Sequence, residues 1–90
     1  MFRLKKSVPL SYARQGYVYF RSLMFDELTA RQQEVIRAVC RRAGGEHAGA
    51  VLDFVTTDEG ATAISLRHNI SRETLDRAVR KYYVLFPKNL

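Results

Sequence analysis

The chain has no tryptophan, a single cysteine, two prolines and two histidines, and its first 25 residues carry no acidic side chain. One cysteine, Cys40, excludes an internal disulfide, so an apolar core and hydrogen bonds must hold the fold. Cys40, His47 and His68 are the only soft metal ligands, and none stands at C-x-x-C or H-x-x-x-H spacing. A structural zinc site is therefore not expected. Cys40 falls on the apolar stripe of its segment, where a thiol behaves as a small hydrophobe rather than a nucleophile. A lone His68 reads as a surface or turn-packing residue rather than a proton shuttle. There is neither a Gly-rich phosphate loop nor a Ser-His-Asp order, so no enzyme and no cofactor are expected. No apolar run approaches the ~18 residues of a membrane-spanning helix. The basic start (Arg3, Lys5, Lys6) leads into Pro9 and polar residues rather than a signal-peptide core. The expectation is an intracellular, cytoplasmic protein with no membrane partner.

What the sequence does have is charge of one sign at its ends. Residues 1–25 hold five basic side chains and no acidic one; residues 26–59 hold four basic and seven acidic; residues 60–90 hold six basic and two acidic. Two positive ends around a negative middle, with a formal net charge of +6, suit a polyanion-facing surface. Ninety residues allow one domain with one core, burying about 60–65% of the unfolded surface.

Along the chain, residues 1–10 read as a basic N-terminal arm and 11–90 as one helical domain. Ser11 can cap a helix running to about Phe25, with Tyr17, Phe20, Met24 and Leu28 on one side. A strand competes there, because Tyr17-Val18-Tyr19-Phe20 is rich in β formers; length favours the helix. Asp26–Gly45 is the clearest element. Thr29 and Gln32 form a capping box, Val35, Ile36, Val39, Cys40 and Ala43 share a face, and Arg41 and Arg42 suit the C-terminal dipole. Gly44-Gly45 supplies the left-handed stop. Glu46–Thr56 is apolar enough for a central core helix. Thr56 and Glu59 suggest a second capping box for a helix reaching His68.

From Ala61 to Phe86 the pattern is two helices meeting at a tight corner. Asn69 tolerates a left-handed conformation, and Ser71 can cap the next helix. Leu75, Val79, Tyr82 and Phe86 then fall in one arc, with Glu73, Arg77, Arg80 and Lys81 opposite. Ile-Ser-Arg-x-Thr-Leu-x-Arg-Ala-Val, at Ile70–Val79, resembles the turn and recognition helix of helix-turn-helix DNA-binding proteins. The small first-helix residue is Ser65, and the buried aliphatics are Ile70, Leu75, Ala78 and Val79. Asn69 stands where that family usually has glycine, and His68 where it has an apolar residue. Leu28–Ile36 is similar to the first helix of sigma-factor and LuxR-type domains, although Glu46–Thr56 is an insertion relative to them. The whole-chain cadence also resembles small proteins of Gram-positive bacteria, some carried on mobile elements, a likeness that implies no particular chemistry.

The resemblance implies an all-α domain of four or five helices, with a turn near 69–71 and a recognition helix over 71–86. Its implied function is a bacterial DNA-binding regulator of transcription or of a mobile element. Ser71, Arg72, Glu73, Asp76 and Arg77 would face base edges, and Arg3, Lys5, Lys6, Arg67, Arg80 and Lys81 would contact phosphates. A plainer reading of the same residues is a solvated face, with Glu73→Arg77 and Asp76→Arg80 as i,i+4 pairs each contributing about 0.2–0.5 kcal/mol. The alternative function is a protein-interaction module or homodimer using apolar surface at Tyr83, Val84 and Leu90.

Overall fold

The computed structural model describes residues 8–90, and no strand occurs among them. Five α-helices follow one another: α1 Tyr12–Leu23, α2 Ala30–Gly44, α3 Ala48–Thr56, α4 Ala61–His68 and α5 Arg72–Leu85. Single 3-10 turns at Phe25–Glu27 and Gly45–His47 lead into and out of α2. The fold is all-α, as expected. The arm residues Arg3, Lys5 and Lys6 lie outside the described residues.

Local chemistry starts most of the helices where the sequence indicates. The Ser11 hydroxyl accepts from the Arg14 amide at 3.1 Å, and a helix rather than a strand follows. The buried face of α1 differs from the expected one. Gln15, Val18 and Ser22 turn inward, while Tyr17, Phe20 and Met24 are exposed, Phe20 by 56%. Polar side chains can occupy that face because each finds a partner, which removes most of the cost of burying it. Gln15 Nε2 donates to the Leu10 carbonyl at 3.1 Å, and Ser22 Oγ donates to the Val18 carbonyl and meets the Tyr82 hydroxyl, both at 2.7 Å. Val8 is buried in the core, so the end of the expected arm is packed rather than loose.

At α2 both halves of the capping box form: Thr29 N–H donates to Gln32 Oε1 at 3.0 Å, and Gln32 N–H to Thr29 Oγ1 at 3.1 Å. Thr29→Ala should cost about 1 kcal/mol, read as a lower denaturant midpoint at unchanged slope; an unchanged midpoint would mean that solvent serves these amides equally well. The helix stops at Gly45 (φ 56°, ψ −122°), a region closed to residues with a Cβ, rather than in the left-handed helical region anticipated for the glycine pair. The second capping box is absent. Thr56 and Thr57 hydroxyls donate back to the Leu52 and Asp53 carbonyls, both at 2.6 Å, and α4 begins after Gly60 without a side-chain cap. The threonines serve the end of α3 because its orphan carbonyls lie nearer than the next helix's amides.

The core gathers where α5 and α3 pack on α2. Ile36, Val39, Cys40 and Ala43 of α2 meet Ala50, Val51 and Val55 of α3, Ile64 of α4, and Leu75, Ala78, Val79 and Tyr82 of α5. The C-terminal residues return to α1: Arg14 donates to the Phe86 and Pro87 carbonyls at 3.0 Å each, and Arg21 Nε to the Leu90 carbonyl at 2.7 Å. This packing fixes α5 from one side and leaves its polar side in solvent.

Candidate nucleic-acid interface

The corner between α4 and α5 is set by backbone geometry. Asn69 is left-handed (φ 54°, ψ 48°). The Ile70 amide donates to the Ser65 carbonyl at 3.0 Å and the Asn69 amide to the Leu66 carbonyl at 3.3 Å, the paired bonds of a Schellman stop. Asparagine therefore does the work of the usual glycine. Ile70 packs against the core, and Ser65 is buried at the corner with a hydroxyl that has no partner among the described residues, so its small size is what the corner uses. Ser71 accepts from the Thr74 amide at 3.0 Å and passes its own proton to Thr74 Oγ1 at 2.8 Å. Both hydrogen-bonding roles of Ser71 are spent on starting α5.

The side chains projecting from α5 divide into engaged and free groups. Arg72 is exposed and donates to Thr62 Oγ1 at 2.9 Å, which ties the start of α5 to the start of α4. Arg77 pairs with Glu73 at 3.1 Å, and both are largely exposed. The second expected pair does not form: Asp76 and Arg80 make no ion pair among the described residues, nor does Lys81. Arg80 and Lys81 therefore carry uncompensated positive charge on this face.

Arg67 has a different role from the expected one. It pairs with Glu59 and, at 3.5 Å, with Asp53, and the Glu59 carboxylate pushes its already high pKa further up. Two carboxylates occupy this guanidinium, which makes it a poor phosphate ligand. Asp53 also meets His68 Nε2 at 2.7 Å, joining α3 to the end of α4. That contact accounts for a histidine at a position that is apolar in the resembling family. Cys40 is buried, and burial pushes its thiol up to about 12, the environment of a structural rather than reactive cysteine.

One part of this face escaped the sequence reading. Ala43, Gly44 and His47, where α2 ends, lie across from Thr74, Arg77, Ala78, Arg80, Lys81 and Val84 of α5 and enclose a groove of about 450 Å3. Small residues at a helix end give no sequence signal of a hollow, because the hollow depends on which helix passes opposite. The apolar C-terminal patch offered for the interaction module does not exist as drawn. Tyr83 is 5% exposed and Leu90 8%, leaving only Val84 at the surface.

Comparison with protein-family models, curated proteins and solved structures finds no match to this chain. No group of His, Cys, Asp and Glu among the described residues is arranged to hold a metal ion. No described helix is long and apolar enough to cross a membrane.

Proposed function

We propose that the chain is a small DNA-binding protein, a regulator of transcription or of a mobile element, that lays the exposed side of α5 in the major groove. The observation that carries this reading is the arrangement of α5 itself. It enters from a Schellman corner through a serine cap, buries Leu75, Ala78, Val79 and Tyr82, and projects Arg77 and Lys81 into solvent along the opposite side, with Arg72 exposed at its first turn. A helix held from behind and cationic in front suits insertion into a groove lined by phosphates. Arg72 and Arg77 lie in the first half of α5, the part that reaches base edges in such docking, and each can fork onto a guanine. Arg80 and Lys81 lie farther along and serve phosphates. Ser71 acts as the cap, and Arg67 as a tie between α3 and α4. Asp76 remains as an acceptor for a cytosine amino group, and Glu73 becomes one where Arg77 leaves it for a base.

This division of labour sets the test. Arg72→Ala or Arg77→Ala should cost about 1–3 kcal/mol on a preferred site and relax preference at one base pair. Lys81→Ala should weaken all duplexes about equally and lower the salt slope by about one. Fluorescence titration of wild type and the three variants, on selected and scrambled duplexes at two salt concentrations, separates the two patterns. Equal small losses for all three variants, without a change in preference, would count against base reading by α5.

A further inference from the structure

The groove between the end of α2 and α5 has a lining that a nucleic acid does not use fully. Its floor is made of small apolar groups: the methyls of Ala43 and Ala78, the backbone of Gly44, and Val84 at one end. Its rim carries Arg77, Arg80, Lys81 and His47. Acidic side chains stand nearby. Glu73 is taken up by Arg77 at 3.1 Å, and Glu46 lies 3.7 Å from His47 and is otherwise in solvent. Asp76 stands one turn before Arg80 on α5 without pairing with it, and Arg80 and Lys81 line the groove with no ion pair among the described residues. A phosphate ridge laid across the rim would satisfy those cations and leave the floor uncovered.

We infer that this groove is a docking site for an acidic protein segment that inserts one apolar side chain between flanking carboxylates. The apolar side chain covers Ala43, Ala78 and Val84, displacing water from apolar surface. The carboxylates reach Arg77, Arg80 and Lys81 on the α5 wall and His47 on the other, bonds that are strongest where a guanidinium meets a carboxylate. Charge complementarity selects the sign of the partner, and the small floor selects a single aliphatic anchor over a broad apolar face. Docking itself does not depend on DNA binding. Its regulatory consequence rests on the DNA-binding reading: Arg77 and Lys81 belong to both surfaces, so an acidic segment and a duplex exclude one another.

The test uses a fluorescently labelled peptide of alternating glutamate and aspartate around one central leucine, with the full chain. The comparator has serine in place of that leucine. Burying one leucine side chain should make the first peptide bind about tenfold more tightly than the second. Val84→Glu should abolish that preference, and because Val84 is 51% exposed the variant should keep the wild-type helical melting profile. Lys81→Ala should weaken both peptides alike. Equal binding of the two peptides, or a leucine preference that survives Val84→Glu, overturns the assignment. Unlabelled duplex should displace the peptide where both readings hold. Peptide docking without duplex affinity keeps the groove and removes the DNA reading. Duplex affinity without a leucine preference does the reverse.

Discussion

Leu75→Ala is expected to lower the stability of the domain by about 2–5 kcal/mol, the range for emptying a large buried aliphatic site. Leu75 is fully buried on the inner face of α5, in the core cluster that also holds Ile36, Val51 and Ile64. Its first turn is held from outside by the Ser71 cap, the Arg72–Thr62 bond and the exposed Glu73–Arg77 pair. The hole left by alanine is therefore bounded by three other helices, which cannot all close on it at once. A domain of this length has about 5–15 kcal/mol in total, so the variant should populate unfolded chains near body temperature. Chemical denaturation followed by helical circular dichroism is the measurement. An unchanged midpoint would mean that α5 is not docked on α2 and α3 through this face, and the projection of its polar side would lose its basis.

Alkaline pH should produce the second large effect. Burial pushes the Cys40 thiol and the Tyr83 phenol up to about 12, and the Tyr82 phenol well above its ordinary value. Tyr19 is pushed up to about 12 by burial and by its 2.6 Å hydrogen bond to Asp58. In the unfolded chain these groups lose their protons near pH 8.5 for the thiol and near pH 10 for the phenols. Every shift is upward, so above those values the unfolded state binds fewer protons than the folded one and stability falls as pH rises. The contribution is intact below about pH 8.5 and is lost between there and about pH 12. A joint pH titration of phenolate absorbance and helical dichroism should therefore show the buried tyrosines ionising only as helix is lost. Ionisation of all five tyrosines near pH 10 with the helices intact would contradict the burial of Tyr82 and Tyr83 on the inner face of α5.

The capped helix starts and the sharp stops were legible in the sequence because their chemistry is local. Ser11, Thr29 and Ser71 each serve an amide three residues on, and Asn69 closes α4 with bonds inside one turn. Period alone located the buried stripe of α5. The face of α1 was not legible, because apolarity points the wrong way there. Gln15 and Ser22 can go inside only because Leu10 and Tyr82, remote from them in different degrees, supply partners. The start of α4 was misread for a related reason: a threonine hydroxyl can serve the helix behind it or the one ahead, and the choice is made by chain geometry. Tyr83 and Leu90 seemed available at the surface because nothing in the sequence reports that the C-terminal residues turn back onto Arg14 and Arg21.

Among the candidate DNA contacts, residue type and spacing identified Arg77, Arg80 and Lys81, with Glu73, as the polar side of one helix. They could not distinguish an arginine held by two carboxylates from one left free. Arg67 and Lys81 look equivalent in sequence, yet only Lys81 is unpaired. The groove beside α5 was invisible for the reason that made the core of α5 visible. Period describes one helix at a time, and a hollow belongs to two.

The most direct measurement of the central claim is the salt dependence of wild-type binding to duplex DNA. With Arg80 and Lys81 each releasing a phosphate counterion, the logarithm of the binding constant should fall against the logarithm of salt concentration with a slope of about −2 or steeper. A binding constant that is immeasurable even at low salt, or one that does not change across the series, would contradict α5 as a DNA-reading helix.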